Sequence, residues 1–288
     1  MEIKGEFTYT FQLNDPIRKR GKNGVVWLAT QKESGNFAII KWHKNPASKI
    51  HIAPHKHIQS PIEEIVHEGK IFSAYAYLKG EDLQQQFDQR KKIWRKADFI
   101  VAKWIQTLEI LDHIHQQQLL HGDIKLSNLI YDASEDQMKL IDLDSVAAFP
   151  LQHPMQRAFI FSAPEQFLQV KELTGPWSDI FSSGICFYSL LSQALPYSMQ
   201  HPAMLEQMQL SLPLPKREEI PDSLFPIFQK CCAKPLFPKP PGKKAGNEEI
   251  KALVLNIAAR YAKASDLITD LKNLDLSPPK KWYSFLKF

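Results

Sequence analysis

The chain has 288 residues, of which 44% are apolar, and a formal net charge of +5. That length and composition allow a sizeable core in one or two domains and exclude a disordered or collagen-like chain. The mild charge, with no clustered basic patch, argues against a nucleic-acid partner, and three cysteines, Cys186, Cys231 and Cys232, are too few for a disulfide framework and fit a reducing, cytoplasmic setting.

In chain order, Met1–Glu6 lacks the charged-then-apolar layout of a secretion signal. Phe7, Tyr9, Phe11 and Leu13 alternate with polar residues, the period of a half-buried strand. Val25–Ala29 follow Gly24, and Ser34-Gly35-Asn36 predicts a hairpin turn before Phe37–Trp42. Residues 43–60 are rich in His, Lys and Pro and show no clean period. Ile65–His67 and Ile71–Leu78, around Glu68-Gly69-Lys70, predict a second hairpin, so the first quarter is mostly strand. After Gly80 the pattern changes. Glu81–Arg90 is polar and helical, and Ile100, Val101, Trp104, Ile105, Leu108, Leu111 and Ile114 recur at helical spacing. Ile180–Leu195 is the most apolar run. Its serines make it a buried helix, and no stretch reaches the about 18 apolar residues of a transmembrane span. Helices dominate from residue 178, Pro235–Lys244 has the composition of a loop or insertion, and Lys280–Phe288 is a basic-aromatic tail.

Between the apolar segments lies Leu119-Leu120-His121-Gly122-Asp123-Ile124-Lys125-Leu126-Ser127-Asn128, followed by Lys139-Leu140-Ile141-Asp142-Leu143-Asp144. Singly, Asp123 reads as a turn or cap residue, Lys125 as a solvated charge, Asn128 as a loop residue and Asp142 as the end of a strand. Jointly they match the needs of phosphoryl transfer: divalent metal at the phosphates, a carboxylate near the attacking hydroxyl, and a cation to offset developing charge. The first segment resembles the catalytic loop H-R-D-x-K-x-x-N of the protein kinase family, and the second resembles its D-F-G metal motif.

The resemblance extends over nearly the whole chain and implies an α+β, bilobed fold: a small antiparallel β-sheet lobe and hinge (1–78), a larger mainly helical lobe (79–275) with an insertion at about 235–250, and the tail 276–288. It implies ATP and magnesium as cofactors. Asp123 and Lys125 become the catalytic residues, and Asn128 and Asp142 the metal ligands. Gly21 and Gly24 resemble the second and third glycines of the phosphate loop, with Val26 as its valine and Lys19 in place of the first glycine. Lys41 matches the strand lysine that binds phosphates, and Ile39 the roof of the adenine pocket. Tyr75–Leu83 looks like the hinge, with backbone groups of Ala76 and Leu78 at the adenine edge, Asp82 near the ribose and Ile130 as the pocket floor. Ala163-Pro164-Glu165, Ser178–Gly184 with its brace Asp179, and Arg260–Leu267 resemble three later kinase motifs. They imply a pair between Glu165 and Arg260, and the last leans toward bacterial serine/threonine kinases.

The chain also departs from the family. Gly122 replaces the arginine that receives an activating phosphate, and between Asp142 and Ala163 the hydroxyl residues are Ser145 and Ser162 alone. Asp144 replaces the glycine of D-F-G and adds a carboxylate that could serve cation binding. Ala158 stands near a position where a threonine commonly contacts the catalytic acid. The regulatory helix should lie in residues 45–60, which contain no Asp or Glu, so Lys41 is expected to lack a carboxylate partner and to face phosphate or water. The resulting expectation is an atypical serine/threonine protein kinase with a protein substrate, not controlled by activation-loop phosphorylation. A regulatory protein would dock on the small lobe at an exposed surface, residues 43–60. Two other readings compete: a nucleotide-binding pseudokinase acting as scaffold or switch, and a small-molecule phosphotransferase.

Overall fold

The computed structural model describes residues 1–12, 18–21, 24–43, 50, 52–59, 61–155, 160–197, 202–239, 241 and 245–276. Its first part is an antiparallel sheet. Strands β1 (Glu2–Lys4), β2 (Thr8–Thr10), β3 (Arg18–Gly21), β4 (Gly24–Gln31), β5 (Phe37–His43), β6 (Pro61–His67) and β7 (Lys70–Ala76) lie in the order β1-β2-β4-β5-β7-β6, with β3 paired to β4. Tight turns set two of its hairpins: Gly35 has φ +71°, and Glu68 and Gly69 have φ +48° and +69°, the left-handed turn geometry that matches strand twist. One face carries Tyr9, Trp27, Ala29, Ile40, Ile65 and Phe72 into a core of its own.

The rest of the chain is mainly helical. Strand β8 (Glu81–Asp82) leads into α1 (Leu83–Asp88) and α2 (Ala97–His115). Short strands β9 (Leu119–Leu120), β10 (Leu129–Asp132), β11 (Gln137–Leu140) and β12 (Ala147–Ala148) follow, and then α3 (Pro164–Phe167), α4 (Pro176–Ser192), α5 (Pro202–Ser211), α6 (Phe225–Cys231), α7 (Asn247–Ala258) and α8 (Ala264–Lys272). The expected α+β, two-lobed arrangement is therefore present. Helix α4 is the centre of the larger core. Trp104 of α2 stacks on Phe187 and Phe228, at centroid distances of 5.9 and 4.9 Å, and its Nε1 donates to Ser183 Oγ at 3.0 Å. The serines that interrupt the apolar run of α4 turn back on their own helix: Ser182, Ser189 and Ser192 donate to the carbonyls of Ser178, Ile185 and Tyr188 at 3.0, 2.7 and 2.8 Å. Such back-bonding lets a hydroxyl stay in an apolar core. No helix among the described residues is long and apolar enough to cross a membrane.

Some expectations shift. Helix α7 begins at Asn247, inside the stretch 235–250 read as an insertion. Between His43 and Pro61 the described residues form no helix, and they are not an exposed surface throughout. Ile58 and Gln59 are buried, because this segment pairs with β11: Leu140 N donates to His57 O at 2.8 Å, and Gln59 N to Leu140 O at 2.9 Å. Leu13, Ala158 and residues 277–288 of the tail lie outside the described residues.

Glu165, in α3, and Arg260, after α7, meet as expected. Arg260 donates to both carboxylate oxygens, at 2.7 and 3.1 Å, and both side chains are fully buried. A third bond from Ser178 Oγ to Glu165, at 2.7 Å, ties the pair to α4. Glu165→Ala or Arg260→Ala strands one buried charge and should cost about 3–5 kcal/mol of stability. Thermal unfolding of the two single variants and the double variant should show clear non-additivity, since the second removal relieves the first.

Candidate active site

A cleft with a cavity volume of about 270 Å³ opens between the sheet and the helical part. Of the residues singled out in the sequence, Val26, Ile39, Lys41, Leu78, Asp82, Ile130 and Asp142 line it. The register explains the upper wall: Val26 is opposite Lys41 and Leu28 is opposite Ile39, so β4 and β5 present all four side chains on one face. Asp82 caps α1, accepting from Gln85 N at 2.9 Å, and β8 holds it opposite Ile130 of β10. The cleft is also lined by Tyr75 and Tyr77 of the expected hinge, by Asp144, and by Leu28 and Gln59, to which sequence reasoning gave no place in the pocket. Leu28 was legible from the alternation of β4. Gln59 carries no signal, because it lies in a segment without a period.

The glycines and Ala76 are placed differently. Gly21 and Gly24 pair with each other at the end of the β3–β4 hairpin, and Gly24 does not line the cleft. Gly24 is required by packing: φ is +147°, and a Cβ there would lie 1.8 Å from the Trp42 carbonyl oxygen. Ala76 does not line the cleft, and its carbonyl accepts from Gln59 Nε2 at 3.1 Å.

The loop after β9 is held from below by Asp179, which is fully enclosed by protein. Its carboxylate accepts from the backbone N–H of His121 at 2.9 Å and of Gly122 at 2.8 Å, and lies 3.0 Å from His115 Nε2. Gly122 has φ +75°, and a Cβ there would fall 1.8 Å from Met155 Cε. Backbone conformation thus disfavours a side chain at position 122, and the flexible end of Met155 lies over it. Sequence reasoning missed Met155.

This loop brings Asp123, Lys125 and Asn128 together. Lys125 Nζ is hydrogen-bonded to Asp123 Oδ2, and Asn128 Nδ2 donates to the Asp123 carbonyl at 2.9 Å and to its Oδ2 at 3.2 Å. Asn128 is completely buried, yet its Oδ1 has no hydrogen-bond partner. A buried amide oxygen left unpaired costs free energy unless something else satisfies it, and an oxygen of this kind is a ligand suited to magnesium.

Asp142 follows β11 in a left-handed conformation, φ +66° and ψ +72°. Lys41 Nζ lies 2.7 Å from Asp142 Oδ1 and 2.6 Å from Asp144 Oδ2. The expectation that Lys41 lacks a carboxylate partner is therefore wrong: the partners come from the D-L-D segment. Burial pulls the Lys41 ammonium down, but the charges of Asp142 and Asp144 outweigh it and hold the group above its ordinary range. Burial likewise raises the Asp142 carboxyl, and the Lys41 charge overcomes it, leaving Asp142 below the usual carboxylate range.

Asp179 gives a pH prediction. Burial raises its carboxyl, but the hydrogen bond and charge of His115, the charge of His121 and the Gly122 N–H hold it below the ordinary value. A carboxyl depressed in the folded state adds stability above its unfolded pKa, and that stability is lost as pH falls through the folded value. Asp179→Asn should be less stable than wild type at neutral pH, and the gap should shrink below about pH 4. Denaturant midpoints of the two proteins across the acid range measure this.

Comparison with known proteins agrees with this geometry. The model of the family described as protein kinase domain matches residues 20–254. A CBL-interacting serine/threonine-protein kinase 20 of Arabidopsis thaliana is 25% identical over 64% of this chain and 42% of its own. Serine/threonine-protein kinase Nek5 of Mus musculus is 26% identical over 62% of this chain and 30% of its own. CBL-interacting protein kinase 15 of Oryza sativa subsp. japonica is 24% identical over 72% and 51%. The chain thus spans about half or less of the length of these relatives. The family model covers most of the sequence and overlies the cleft, its lysine and both acidic motifs, and the chain belongs to the protein kinase domain family.

Proposed function

We propose that this chain is an active serine/threonine protein kinase that transfers the terminal phosphoryl group of ATP to a protein hydroxyl. The observation that carries the reading is the meeting of Lys41 and Asp142, 2.7 Å apart across the cleft though they come from opposite parts of the fold. It brings a phosphate-type cation and a metal-type carboxylate into one pocket, next to the acid–base–amide loop, whose Asn128 carbonyl accepts from Ile141 N at 3.0 Å.

The donor set fits magnesium, because Asn128 offers a buried, unpaired oxygen and Asp142 a carboxylate kept ionised by Lys41. Magnesium supplies positive charge at the phosphates when it is bound there by these two residues. Lys41 holds phosphate oxygens. Asp123 orients the acceptor hydroxyl and takes its proton at Oδ1, while Oδ2 is fixed by Lys125 and Asn128. Lys125 stands where it can offset charge on the transferred group. Val26, Ile39 and Ile130 sandwich the base, Leu78 contacts its edge, and Asp82 meets the ribose.

The scaffold reading draws on two departures from the family, the absence of an acid in residues 45–60 and D-L-D in place of D-F-G. The small-molecule reading is disfavoured by the buried Glu165–Arg260 pair, which belongs to the protein-kinase pattern. Purified protein incubated with labelled ATP, magnesium and a generic basic protein decides among them. Wild type should transfer label, Asp123→Ala should lose transfer and keep nucleotide binding, and Asp142→Ala should also bind magnesium nucleotide more weakly. Equal trace label on wild type and Asp123→Ala would establish the scaffold reading instead.

Regulation follows from Gly122 and Met155. The position that would sense an activating phosphate has no side chain, and Met155 fills the space above it. Ser162 is 3% exposed, so it is poorly placed for modification. Phosphatase-treated protein should therefore keep its initial rate, and Ser145→Ala should be neutral within about twofold, a difference under about 0.5 kcal/mol.

A further inference from the structure

The segment between β5 and β6 supplies no carboxylate to Lys41, and yet Lys41 is 8% exposed, too buried to be held by water. Among the described residues its carboxylate partners are Asp142 and Asp144. These two are not equivalent. Asp142 stands at the metal position of the proposed function, on which this inference rests. A carboxylate that turns to a divalent cation gives up much of its hold on a neighbouring ammonium. If Asp142 were the sole partner, binding magnesium nucleotide would release Lys41 at the moment it is needed.

Asp144 is the second carboxylate on this ammonium, and it also lies beside His43. Its Oδ2 is 2.6 Å from Lys41 Nζ and 3.6 Å from His43 Nδ1, and His43 Nε2 is 2.9 Å from Ser73 Oγ of the neighbouring strand. Lys41 and His43 are two residues apart on β5 and so share a face. Lys41 is opposite Ser73 across the β5–β7 ladder. The side chain of Asp144 is 18% exposed and closes this polar row from the catalytic side. The short 3₁₀ turn Leu143–Ser145 carries it to the sheet immediately after Asp142. A glycine at 144 could not make these contacts.

We infer that Asp144 is the positioning residue for Lys41, the anchoring carboxylate that keeps the ammonium aimed at phosphate after Asp142 engages metal. An ammonium has three N–H donors. One stays on Asp144, and the others are free for phosphate oxygens once Asp142 is withdrawn. The residue that breaks the D-F-G pattern and the helix acid missing from residues 45–60 then become one compensated change, with the anchor moved from a helix to the metal loop.

The test uses the full chain with Asp144→Asn, Asp144→Glu and Asp144→Gly. Asp144→Asn keeps shape and removes charge, and at saturating magnesium it should raise KM for ATP about tenfold or more, the loss expected for one charged hydrogen bond. KM for the protein substrate should stay unchanged. Asp144→Glu should recover part of the affinity, and Asp144→Gly should be the weakest. In the protein without nucleotide, melting temperatures of Lys41→Met, Asp144→Asn and the double variant should be non-additive. An unchanged KM for ATP in Asp144→Asn, or additive melting shifts, would overturn the inference while leaving the kinase reading intact. A shift in the magnesium concentration required, with ATP affinity restored by excess metal, would also overturn it, because Asp144 would then be a metal ligand. Failure of wild type to bind ATP would overturn the functional reading itself, and this inference with it.

Discussion

A buried ammonium must find countercharge, and in this protein that requirement joins the two parts of the fold. Lys41 is fixed by the sheet, through its register with Val26 and Ser73, and its charge is met by Asp142 and Asp144 from the segment that follows β11. Leaving a charge uncompensated in such a place costs several kcal/mol, so the D-L-D segment and β5 are obliged to stay in register with each other. The cleft is the space enclosed when they do. The sheet wall of Val26, Ile39 and Lys41 and the acidic end of Asp142 and Asp144 are brought together by this ionic contact.

Two further buried charges hold the catalytic loop and the segment after it. Asp179 of α4 holds the loop by accepting the backbone N–H groups of His121 and Gly122. Glu165, paired with Arg260 and bonded to Ser178, fixes α3 against the late helices. In addition, Gln166 Nε2 donates to Gly122 O at 3.0 Å, joining α3 to the catalytic loop. Positioning here is by two buried carboxylates, Asp179 and Glu165, each held by several hydrogen bonds. The phosphate-sensing arginine found in the family's motif is absent, and a glycine–methionine contact stands in its place.

The strand-to-helix order, the two hairpins, α2 and α4 were legible because apolar period and turn residues act locally. Asp123, Lys125, Asn128 and Asp142 were legible as a spacing, and Glu165 and Arg260 through the motifs around them. What escaped was set by tertiary packing. The carboxylate of Asp144 was noticed, but nothing local says that it meets Lys41 rather than a metal. Met155 has no pattern that tells of Gly122 beneath it. Residues 43–60 looked like an exposed basic surface because their charges suggest it, yet Ile58 and Gln59 are buried against β11 through backbone pairing that is independent of side-chain type. Gly24 was read as a phosphate-loop glycine, whereas its closest constraint is the Trp42 carbonyl.

The account turns on an exchange at Lys41, whose ammonium leaves Asp142 for phosphate while remaining on Asp144. A crystal structure of the protein with magnesium and a non-hydrolysable ATP analogue would test it most directly. The account predicts the analogue in the cleft, the metal held by Asn128 Oδ1 and Asp142, and Lys41 Nζ within hydrogen-bond distance of both a phosphate oxygen and Asp144. A cleft that stays empty at saturating analogue, or one in which Lys41 remains on Asp142 with no contact to phosphate, would contradict it.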